Sequence, residues 1–107
     1  LMEAVGGDLE FAAELTAQLL ESAPAMLEDM QTAIGAANAE EARRAAHKLK
    51  GGCMAIGAEA LATILGRIEL DAAAGDVEPL IPLMAEAMTA YAQLSAVLQA
   101  YQAEAAA

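Results

Sequence analysis

Apolar positions along this chain recur at intervals of three and four and nowhere alternate with period two, a pattern that predicts helices and no strands. "GGDLEFAAELTAQLLES" opens with Asp8 as an N-cap and lines up Phe11, Leu15 and Leu19 on one face. "SAPAMLEDMQTAIGAA" reads as a restart, with Ser22 as cap and Pro24 in a first turn, where a missing N–H costs little. Its apolar face is Leu27, Met30, Ile34 and Ala37. A further helix begins at "NAEE", where Asn38 and Glu41 have the spacing of a capping box, and runs to about Met54, with Gly57 ending it or starting the turn. "AEALATILGRIELDAAAG" aligns Leu61, Ile64, Leu65, Ile68 and Ala72 and stops at Gly75. The last helix starts near Asp76, and Pro82 either delays its proper start by a turn or kinks it.

That last helix carries Leu80, Met84, Ala87, Tyr91, Leu94, Leu98 and Tyr101, the seam of a left-handed bundle. The seam closes the protein's own core or makes a homodimer. The alanine tail at 103–107 is expected to fray. Short Gly, Asn and Pro connections between these helices give an all-α, antiparallel four-helix bundle running up-down-up-down, with an extra short or kinked helix accommodated at the N-terminus. A length of 107 residues suits a single domain over 1–107.

Charge narrows the partners. The formal net charge is -11, which disfavours nucleic acid and anionic membrane surfaces. The longest uncharged run, "AMTAYAQLSAVLQAYQA", is broken by Thr, Ser, Gln and Tyr and reads as a packed helix. One cysteine, Cys53, makes no internal disulfide, and with a single histidine it is too little for a protein-only zinc site. Cys53 falls on the apolar stripe and is assigned to the core. The cytoplasm is the expected location. Because the sequence begins at Leu1 rather than Met, it is expected to belong to something longer.

Against this acidic background, "RRAAHKLKGG" holds the only histidine and four of the five basic residues. At about 100° per residue, His47 lies roughly 140° from the centre of the stripe formed by Ala42, Ala45, Ala46, Leu49, Cys53 and Ile56, so it faces outward. Arg43 is one turn before it, and Lys50, Gly51 and Met54 follow on the same side. Gly51 and Gly52 each cost about 1 kcal/mol against alanine inside a helix. Either they fray the helix end, or Gly51 clears space one turn from the ring. Lys50 beside it favours space for an anion.

"AAHKLKGGCMAIGAEAL" closely resembles the signature of histidine-containing phosphotransfer (HPt) domains, approximately A-H-x-L-K-G followed by small residues and an apolar-Gly pair. Ala46, His47, Leu49, Lys50, Gly51 and Gly57 match it. The first predicted helix, the "AP" of the second and "AAGDVEPL" before the last also look like family elements.

The resemblance implies a four-helix bundle acting as a phosphorelay intermediate in two-component signalling. His47 would be phosphorylated by one receiver aspartate, or by a kinase, and would pass the group to another receiver. Lys50 would sit near the phosphoryl oxygens, and Gly51 would leave room for the group and the docking receiver. Glu69 stands at the position where family members often hold the other imidazole nitrogen with Gln or Glu. Such a carboxylate would fix the tautomer and turn Nε2 outward.

Arg43, Arg44 and Lys48 form a rim that either complements the helix dipole or meets an acidic receiver. Met54 is a docking contact or a core residue. The chain has no Walker loop and no G-x-G-x-x-G, so it is expected to be a carrier and not an enzyme, with no cofactor or metal of its own and Mg2+ supplied by the receiver. A monomer is expected, whether free-standing or within a hybrid or chemotaxis-type histidine kinase. A docking bundle that carries no phosphate is the alternative.

Overall fold

The computed structural model describes residues 9–106, so the Asp8 cap lies outside the described residues. Those residues form four helices and no strand: α1 (Leu9–Gly35), α2 (Ala39–Ala55), α3 (Glu59–Ala73) and α4 (Leu80–Ala106). Each helix packs on two others, α1 on α2 and α4, and α3 on α2 and α4, which closes a ring around one core.

The restart predicted at Ser22 does not occur. α1 continues through Pro24 for 27 residues. Ser22 Oγ donates to the Gln18 carbonyl at 2.8 Å, one turn back, instead of capping a new helix. Proline removes one N–H from the ladder, but Leu19, Ala23, Leu27 and Met30 lie buried on either side of it, and their shared packing holds the segment helical. The inner line of α1 is also displaced from the predicted one. Ala12, Thr16 and Leu19 face inward, while Phe11 is 49% exposed.

Three turns are closed by residues with positive φ. Gly57 (φ 74°) and Gly75 (φ 87°) stand after α2 and α3 as expected. After α1 the position is taken by Ala37 (φ 55°), which the sequence pattern had placed on a helical apolar face. Ala37 N–H donates to Ile34 O and Asn38 N–H to Ala33 O, the paired bonds of a Schellman end. Only half of the capping box at Asn38 forms. Its Oδ1 accepts from Glu41 N at 3.1 Å, but its own N–H is already bonded to Ala33, and the Glu41 carboxylate takes Arg44.

α4 begins a turn late, so Pro82 falls in its first turn, and it runs to Ala106 through the tail expected to fray. Leu80, Met84, Ala87 and Leu98 of its seam are buried, and Tyr91 and Leu94 pack against the same cluster. The seam is therefore taken up in the chain's own core. Gln102 of α4 donates to Ala13 O on α1 at 2.7 Å and also bonds Thr16 Oγ1. Thr16 is fully buried; its hydroxyl donates to Ala13 O at 3.1 Å and accepts from Gln102, so no polar atom of its side chain is left unsatisfied in the core.

Candidate functional site

α2 buries Ala42, Ala46, Leu49 and Cys53, and this fixes which of its faces is turned away from the core. His47 stands on that outer face with its side chain 68% exposed. Its Nδ1 lies 2.9 Å from Oε2 of Glu69 on α3. Glu69 follows the buried Ile68 and precedes the exposed Leu70, so it projects from the edge of the α3 core stripe toward α2.

The other oxygen of the same carboxylate, Oε1, is 2.6 Å from Lys50 Nζ. Oε1 is closed off from solvent, with the Lys50 ammonium as its ion-pair partner. One carboxylate thus ties the imidazole to the lysine one turn further along α2. Burial alone pushes the Glu69 carboxyl upward, but the contacts with Lys50 and then His47 outweigh it and hold the group below its ordinary 4.5.

Gly66, one turn before Glu69, was not singled out from the sequence. A Cβ built there would stand 4.0 Å from Lys50 Cδ, so the lysine stem passes over this glycine on its way to the carboxylate. The i, i+3 spacing of Gly66 and Glu69 was the available signal. The other pair of glycines divides in role. A Cβ at Gly51 would meet nothing within 4 Å, whereas one at Gly52 would come 3.0 Å from Leu19 Cδ1. Gly52 lets α1 and α2 approach, and Gly51 leaves open space beside His47.

The rim residues are not equivalent. Arg43 makes two bonds to Glu40, at 2.6 and 3.1 Å, which lower the Glu40 carboxyl and raise the guanidinium. Arg44 contacts Glu40 at 3.4 Å and Glu41 at 3.3 Å. Lys48 has no such partner among the described residues. Met54 is 64% exposed, so it is not a core residue, while Cys53 is fully buried and burial pushes its thiol up to about 11. No group of three or more His, Cys, Asp or Glu side chains among the described residues is arranged to hold a metal, and none of the described helices is long and apolar enough to cross a membrane.

A ring of four helices that presents one exposed imidazole with a carboxylate against its Nδ1 defines a class of domain: a helical bundle with a surface histidine. The family model for the Hpt domain matches residues 14–104, and the chain belongs to that family. Hpt domains are phosphocarriers rather than enzymes, act in the phosphorelays of two-component signalling, and interact with receiver domains and kinases. No curated protein and no solved structure matches the chain at a significant level.

Proposed function

We propose that His47 accepts a phosphoryl group at Nε2 from the aspartyl phosphate of a receiver domain, or from a kinase, and passes it to a second receiver. The observation that carries this reading is the 2.9 Å contact between His47 Nδ1 and Glu69. A carboxylate there accepts the Nδ1 proton and leaves the Nε2 lone pair as the nucleophile. In the step from a receiver, Nε2 attacks phosphorus, the N–P bond forms, and the P–O bond to the aspartate breaks. The electron pair leaves with the aspartate carboxylate. The Nδ1 proton stays against Glu69, which stabilises the positive charge gathered on the ring. Onward transfer is the same sequence reversed onto another aspartate.

Lys50 supplies positive charge next to the phosphoryl oxygens, from a resting position on Glu69. Gly51 gives the group and the partner room, and Met54 offers an apolar contact on the same side. Mg2+ comes from the receiver. The helices are taken to run antiparallel, up-down-up-down, which the Gln102–Ala13 and Gly52–Leu19 contacts support. The domain is taken to work as a cytoplasmic monomer.

The test is to incubate the chain with a phosphorylated receiver, and separately with phosphoramidate, and to follow acid-labile label in wild type and His47→Gln. Label in wild type alone is expected. Failure of phosphoramidate to label the folded wild type would end the carrier reading and leave a docking bundle.

A further inference from the structure

His47 is flanked by two different surfaces. On the α3 side, Glu69 and Lys50 neutralise one another at 2.6 Å. On the α1 side lie two open grooves. One of about 760 Å3 runs between α1 and α2, with Asp29 and Thr32 on one wall and His47 and Lys48 on the other. A smaller one of about 120 Å3 has Leu15, Met26, Gly52 and again Lys48 along it. Lys48 therefore stands on the ridge between a groove that reaches the histidine and a mostly apolar one.

Within the basic segment beside His47, the charge pattern singles out the same residue. A partner rich in carboxylates is repelled by a chain of net charge -11 except near residues 43–50. Within that segment Arg43 and Arg44 are held by Glu40 and Glu41, and Lys50 by Glu69. Among the described residues no carboxylate comes within ion-pair distance of Lys48.

We infer that the phosphate-exchanging partner seats over the α1–α2 groove and that Lys48 selects it by pairing with a carboxylate beside the partner's phosphoryl site. This rests on the carrier reading above. Arg43 and Arg44, already paired within their own helix, add little to the choice, because a partner's carboxylate would have to compete with Glu40 and Glu41 for them.

The experiment uses a receiver domain chosen because it exchanges phosphate with the wild-type chain. Lys48→Gln, Arg43→Gln and Arg44→Gln each remove one positive charge, so any loss of diffuse attraction is the same in all three and a specific contact appears as the difference. Lys48→Gln is expected to lower kcat/KM for transfer by about tenfold, chiefly through KM, and the arginine variants by less than about threefold. Lys48→Arg should retain most of the rate. On α1, Thr32→Trp should block transfer, whereas Arg67→Trp on the exposed face of α3 should not.

Labelling of His47 by phosphoramidate should be unchanged throughout. Equal losses in Lys48→Gln and Arg44→Gln, or a block by Arg67→Trp in place of Thr32→Trp, would overturn the assignment. So would a matching fall in phosphoramidate labelling of Lys48→Gln, which would mean that Lys48 acts on the imidazole itself. Absence of phosphoramidate label in wild type would count against the carrier reading instead.

Discussion

Glu69 Oε2 lies 2.9 Å from His47 Nδ1 across the α2–α3 interface, 22 positions away along the chain. The imidazole is mostly in solvent, while the carboxylate side chain is only 17% exposed. In wild type the neutral ring should carry its proton on Nδ1. Glu69→Ala should shift the population toward the Nε2–H form, read from the ring nitrogen shifts by NMR. It should also slow phosphoramidate labelling by roughly tenfold or more. An unchanged tautomer would show that the contact does not orient the ring.

Acid should loosen the same contact. The Glu69 carboxyl lies below its ordinary 4.5 in the folded chain, so the folded state binds its proton less readily than the unfolded state does. The stability this contributes is present above about pH 4.5 and is lost as pH falls through the folded value. Urea unfolding of wild type and Glu69→Gln, measured from neutral pH downward, should differ most at neutral pH and converge below 4.5. A gap that stays constant across that range would contradict the shift.

The two adjacent glycines should respond differently to alanine. Gly51 has open space where a Cβ would go, so Gly51→Ala should raise stability by about 0.5–1 kcal/mol through helix propensity. It should also slow exchange with a receiver, and slow phosphoramidate labelling by less. Gly52→Ala must displace the buried Leu19 and should fall short of Gly51→Ala by about 1 kcal/mol. Denaturation curves of the two variants decide this, and equal gains would refute the division of roles.

Ala37 holds a left-handed conformation at φ 55°, where an L side chain is strained. Ala37→Gly should stabilise the chain by about 0.5–1 kcal/mol after the added flexibility of the unfolded state is set against the relieved strain. A fall in thermal midpoint would show that the strain is absent.

Much of this was legible along the chain. The three-and-four spacing of Leu49, Cys53, Leu61, Leu65 and Ile68 required helices with a buried stripe, and Gly57 and Gly75 marked two of the three turns. The outward direction of His47 followed from its angle to that stripe, because both are set by the same helical repeat. That α1 runs unbroken through Pro24 was not legible. Ser22 and Pro24 carry a strong local start signal, and only packing of Ala23 and Leu27 into the core overrides it. Ala37 could not be placed either, since nothing local makes alanine preferable to glycine in a left-handed turn.

The sequence by itself determined that this is an all-α chain with one outward histidine amid clustered positive charge, because helical periodicity and charge are local properties. Only the tertiary structure decided how those charges are used. Whether Glu69 reaches His47, whether Lys50 shares that carboxylate, and which of two neighbouring glycines lets helices approach all depend on the rotation and approach of α1, α2 and α3. Those are fixed by core packing between residues far apart in sequence, a collective quantity that no single stretch of the chain contains.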